Sequence, residues 1–123
     1  MELPPPLFEF LHQGAAGLLV TVGADGWPHT AFTWIGAPDP ARVRVVIDEG
    51  STTLANVNAS LRGAAQVIGP DSLLYLVKGS IALARNERKM PAGLRIVLAD
   101  LSPSEVKDQG WAPVTVMPLR YVW

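Results

Sequence analysis

The chain contains no cysteine. Disulfides, thiolate catalysis, zinc–thiolate sites and iron–sulfur clusters are therefore excluded. That usage fits a reducing compartment, and a cytoplasmic protein is the expectation. Net charge is almost absent as well, at −1. No broad basic surface is offered to nucleic acid or membrane, and neither is expected as a partner. No apolar run approaches membrane-spanning length. The opening Met1-Glu2-Leu3-Pro4-Pro5-Pro6 lacks a basic region and an apolar core, so it does not read as a signal peptide. Histidine is scarce. His12 and His29 lie far apart in sequence without a carboxylate pair nearby, and no metal site is expected. There is no Gly-x-Ser-x-Gly elbow, no phosphate-binding lysine loop and no dinucleotide glycine fingerprint. Asp48 and Glu49 are adjacent, and nothing marks them as an acid–base pair. No catalytic side chain is assigned.

What remains is apolar and strand-rich. The 123 residues are 49% apolar, enough for one domain, residues 1–123, with a real core. Pro6 suits a first helical turn, and Leu7, Phe10 and Leu11 follow at helical spacing, predicting a short helix from about Pro5 to Gln13. Leu18–Val22 and Pro28–Ile35 flank Ala24-Asp25-Gly26, a hairpin signal. Alternation on the second strand puts Thr30, Phe32 and Trp34 on one face, with His29, Ala31, Thr33 and Ile35 on the other. A turn at Ala37-Pro38-Asp39-Pro40 leads to a strand from Arg42 to Ile47, with Val43, Val45 and Ile47 together. A helix at about Thr52–Leu61 precedes strands at Gly63–Ile68 and Ser72–Ala84, the latter with a bend or bulge expected at Gly79. Asn86–Gly93 reads as a polar loop or one helical turn. Leu94–Leu101 is the last strand, Ser102–Gly110 is polar, and Pro113–Met117 is a short extended segment. Turn signals between neighbours favour antiparallel pairing, and few helices among about six strands point to a closed or nearly closed barrel.

The most informative stretch is Asp48-Glu49-Gly50-Ser51-Thr52-Thr53-Leu54-Ala55-Asn56-Val57. Ser51 is a good N-cap, with Leu54, Val57 and Leu61 on one helical face. A helix start presents unpartnered N–H groups and partial positive charge. Ser51, Thr52 and Thr53 stand at that start, and hydroxyls with free amides can hold a phosphate. An ordinary capped helix accounts for the same residues. Asp48 and Glu49 oppose an anion unless they point away.

In order and spacing, several pieces resemble the FMN-binding split-barrel family of pyridoxamine phosphate oxidase and the small bacterial FMN-binding proteins. They are Leu19-Val20-Thr21-Val22, Asp25-Gly26-Trp27-Pro28, His29 to Trp34, Arg42 to Asp48, Ser51 to Val57, and Tyr75-Leu76-Val77-Lys78-Gly79-Ser80-Ile81. The resemblance implies a mainly β fold, a six-stranded antiparallel split barrel with a short N-terminal helix and one crossover helix. It implies a homodimer with FMN at the subunit interface and redox chemistry, either electron transfer or flavin-dependent oxidoreduction. Ala31, Phe32, Thr33 and Trp34 would run beside the flavin ring. Val46 and Ile47 would line the ring or ribityl chain, and Ser51, Thr52 and Thr53 would hold the phosphate.

The chain departs from the family at the phosphate. The oxidase branch carries arginine and lysine where this chain has Thr52 and Thr53, and the small FMN-binding proteins carry lysine at the first of these. Charge-assisted bonds are then missing unless a cation arrives from elsewhere, with Arg44, Arg85, Arg88 and Lys89 as candidates. Trp123 is a candidate cover for a flavin edge, or simply a docked tail. The competing readings are a non-catalytic barrel binding a deazaflavin or haem, and a barrel that has lost its ligand.

Overall fold

A computed structural model describes residues 1–89, 93–111, 113 and 115–118, with backbone alone at 85–89. Helix α1 (Pro5–His12) leads into β1 (Ala15–Val22), β2 (Pro28–Asp39) and β3 (Arg42–Asp48). Helix α2 (Thr52–Ser60) crosses to β4 (Arg62–Ile68), β5 (Leu74–Lys89) and β6 (Arg95–Asp108). Every recorded strand pair is antiparallel, and the order β1-β2-β3-β6-β5-β4 closes on itself through β1 and β4. This is the six-stranded barrel with a short N-terminal helix and one crossover helix that the sequence implies.

Alternation decides what faces inward. Val43, Val45 and Ile47 of β3 are buried, and Leu19, Ile35, Ala65, Val67, Val77, Ile81, Ala99 and Leu101 join them in one cluster. Helix α1 adds Leu7 and Leu11, four residues apart, and α2 adds Val57. Each fully buried leucine or isoleucine contributes about 1.5–3 kcal/mol. Helix α1 starts on prolines without a side-chain cap and ends before Gly14, whose φ is +83°. Helix α2 buries Thr53, Asn56 and Val57. Leu61, expected on that face, instead follows the helix as an exposed residue with φ 55°.

Three further expectations change. The turn at Ala37–Pro40 shrinks, because β2 continues to Asp39. The backbone of 86–89 extends β5 rather than forming a loop. Polar 102–108 extends β6. Ser102, Ser104, Glu105, Lys107 and Asp108 are exposed there, so the strand had no need of apolar alternation. Register shifts between Lys78 and Gly79, where Gly79 pairs with Pro103 and Lys78 with Glu105, leaving Ser104 as the extra residue. Gly79 thus marks a bulge as expected, with the insertion on the facing strand. Pro103, lacking an N–H, sits where the ladder is interrupted.

Candidate functional site

The wall of the barrel opens between β2 and β3. Their ladder holds at Ile35↔Val45, Gly36↔Arg44 and Asp39↔Arg42. On its other side β2 stays paired with β1 from Ile35 back to Pro28. Beyond Ile35 the Thr33 hydroxyl donates to the Val46 carbonyl at 2.6 Å, a side chain standing in for ladder bonding. Helix α2 packs against β1, β2 and β3. The Asn56 amide donates to the Thr21 hydroxyl at 3.1 Å, and both residues are buried, which anchors the helix there.

Two grooves flank this opening. The first has a volume of about 290 Å³ and lies among the end of α1, β2, β3 and β6. Trp34, Gly36, Val46 and Leu98 contribute to its wall, with His12 and Arg44 as its ionisable residues. Trp34 is 51% exposed although it is a large aromatic. It leans over Gly14, where a Cβ would stand 2.6 Å from the indole ring, so only glycine admits this arrangement. His12 Nδ1 lies 2.9 Å from the Ala37 carbonyl. A carbonyl only accepts, so Nδ1 carries the hydrogen, which in the neutral tautomer places the lone pair on Nε2. Arg44 donates from Nε and Nη2 to the two Asp100 oxygens at 2.8 and 3.1 Å. That bond pushes the Arg44 guanidinium above its ordinary pKa range, so it stays cationic.

The second groove, about 370 Å³, lies between the β1–β2 turn and α2. Thr52, Asn56, His29, Trp27 and Asp25 line it. Ser51 caps α2: its hydroxyl oxygen accepts from the Leu54 N–H at 3.1 Å. The capping account of Ser51 therefore holds, while its own O–H remains able to donate. Asp25 faces the same groove as Thr52 and accepts from the Trp27 N–H at 3.0 Å.

The sequence-derived residues fall into distinct places. Trp34 and Val46 meet in the first groove, and Thr52 lines the second. Ala31 and Thr33 are on the inward face of β2, with Phe32 exposed on the other. Ile47 points into the core, so only its backbone is available to a ligand at the opening. Thr53 is 3% exposed, and its side chain belongs to the helix–barrel contact. Arg44, weighed as a phosphate cation, lines the first groove and is engaged by Asp100, away from the α2 start. The side chains of Arg85, Arg88 and Lys89, and Trp123, lie outside the described residues. In the sequence His12 stood as a lone histidine with no ligand role, and Asp100 carried no signal. The i, i+4 pair Phe8–His12 was visible, but the β3–β6 register that brings Asp100 opposite Arg44 was not.

No protein-family model matches the chain, and no curated protein matches it in sequence. Solved structures do match in shape. One described as an F420 reductase superposes with a TM-score of 0.72 at 20% identity, covering 87% of this chain and 100% of its own. A Listeria innocua protein that carries the provisional name pyridoxamine 5'-phosphate oxidase gives 0.66 at 15% identity, covering 85% and 95%. The chain has the pyridoxamine 5'-phosphate oxidase-like split-barrel fold. HutZ, a haem storage protein of Vibrio cholerae, shares this split barrel with a TM-score of 0.64 at 13% identity, over 88% of this chain and 95% of its own. Among the described residues no helix is long and apolar enough to cross a membrane. Nor does any group of three His, Asp or Glu residues converge among them.

Proposed function

We propose that the chain is an FMN-binding flavoprotein of redox metabolism, working as a cytoplasmic homodimer with the flavin near the subunit interface. The observation that carries this reading is the parting of β2 from β3 between two grooves, of which the second lies at the start of α2. One groove is apolar, bordered by Trp34, Val46 and Leu98. The other sits at a helix start bearing Thr52 and adds the polar side chains of Asp25, His29 and Asn56 to its lining. FMN has the same division, a flat ring at one end and a phosphate at the other. His29 and Trp34, on opposite faces of β2, mark the two grooves and lie roughly 17 Å apart along the strand at strand rise. In this arrangement Trp34 and Val46 flank the ring, with backbone of Ala31 to Thr33 and of Ile47 along the opening. Ser51 and Thr52 donate to the phosphate by side chain, and the α2 amides of Thr52 and Thr53 add to them. Bound FMN would supply the electron or hydride transfer, so no acid or base from the protein is required. Exposed Phe32 and Trp34 give a second copy apolar surface to cover, which would exclude water from the ring.

Titration with FMN and with riboflavin, followed by flavin fluorescence, tests this. FMN is expected to bind more tightly, and Thr52→Ala to weaken FMN about fivefold, roughly 1 kcal/mol for a hydrogen bond, while leaving riboflavin unchanged. Equal affinities would remove the phosphate assignment. If neither flavin bound, the flavoprotein reading would fall.

His12 favours a second reading. A ring N–H given to a backbone carbonyl is the usual support of a metal-bound histidine, and here it leaves Nε2 beside an apolar groove. A haem iron would be held there by the His12 imidazole. On this reading, haemin titration gives a shifted Soret band that His12→Ala abolishes. An unshifted band in the wild-type protein would remove it.

A further inference from the structure

Among the described residues, Arg44 is the one lining the first groove that carries a full charge with histidine neutral. Its ion-pair partner lies outside that lining: Asp100 grips Nε at 2.8 Å and Nη2 at 3.1 Å from β6. The pair is therefore a dipole whose positive end meets the groove. Asp100 is also shared. Arg42 reaches it at 3.4 Å while bonding Asp39 at 2.7 Å. Two carboxylates, Asp39 and Asp100, thus face two guanidinium groups, and within this balanced cluster Arg44 is the cationic member that lines the groove. Asp100 uses Nε and Nη2, so Nη1 is not committed to it. The remaining wall is mostly apolar, with Trp34, Val46 and Leu98 in the same lining, while the Arg44 side chain itself is 38% exposed.

Resting on the flavin reading above, we propose that Arg44 selects the anionic, two-electron-reduced form of a ring bound in this groove over the neutral oxidised form. Uptake of two electrons and one proton gives the ring one negative charge. A fixed guanidinium at its edge stabilises that form and leaves the oxidised ring nearly unaffected. Asp100 is the positioning residue, holding the guanidinium plane through two bonds.

The test is the midpoint potential of bound FMN, measured against a reference dye, together with the affinity for oxidised FMN. The variants are Arg44→Gln paired with Asp100→Asn, which leaves no lone carboxylate, and Arg44→Lys. The paired variant is expected to bind oxidised FMN within about threefold of wild type and reduced FMN about tenfold more weakly, a fall of about 30 mV. Arg44→Lys should recover most of that potential by restoring charge. FMN bound at an unchanged potential in the paired variant would overturn the role of Arg44 and leave the flavoprotein reading standing. Failure of the wild-type protein to bind FMN at all would overturn both.

Discussion

Replacing Thr52 by arginine is expected to tighten FMN binding by about tenfold, or ~1.4 kcal/mol, and to leave riboflavin binding unchanged. Thr52 is exposed at the first position of α2 and lines the second groove, so a longer side chain has room there. An arginine adds charge-assisted, two-pronged bonds to a phosphate, which neutral hydroxyls do not supply. The gain is held to about tenfold by two opposing facts. The site is open to solvent, where ion pairs are weak. Asp25 lines the same groove and competes for the new cation. Asp25→Asn should therefore add to the effect, because asparagine keeps an oxygen to accept from the Trp27 N–H while removing the negative charge. The same change at Thr53 should not help, since that side chain is packed between helix and barrel. Paired FMN and riboflavin titrations of the variants check this. A gain shared equally by riboflavin would mean that arginine acts away from the phosphate.

Gly79→Ala is expected to cost about 3 kcal/mol or more, roughly 10 °C in Tm, because a methyl group has nowhere to go. A Cβ at Gly79 would overlap the Ser102 carbonyl oxygen, which is backbone and cannot rotate aside. Leu101 lies within 3.0 Å as well. Relief requires moving β6 away from β5 at the bulge, which also holds the bond from the Ser104 hydroxyl to the Lys78 carbonyl. Ser80→Ala, the exposed neighbour, should stay within about 0.5 kcal/mol. Urea denaturation of both variants gives the comparison, and equal midpoints would refute the close approach.

Much of this architecture was legible because its cause is local. The hairpin at Asp25-Gly26, the alternation of Val43, Val45 and Ile47, and the Ser51 cap are each written within a few residues. The bulge at Gly79 was visible for the same reason. Other features arise only from strands that meet after a long excursion. Arg44 and Asp100 are 56 residues apart, and nothing near either announces the other. The last turns of β6 are polar because they are exposed, so periodicity had nothing to report. Thr53 illustrates a further limit. A hydroxyl beside two others looks like part of a polar cluster, yet helical geometry turns it, with Asn56 and Val57, toward the barrel. The same geometry leaves Thr52 outside.

The pairing of β1 with β4 has a bearing on how the molecule is made. It joins the cylinder through just three rungs, Leu18↔Gln66, Leu19↔Ala65 and Val20↔Ala64, between segments separated by two strands and a helix. Hairpins can zip from their turns, but this seam must wait until the intervening chain is in place, and the entropy of closing that loop falls on few bonds. Assembly therefore culminates at a narrow joint whose middle rung, Leu19↔Ala65, is sealed in the core rather than held by a long ladder.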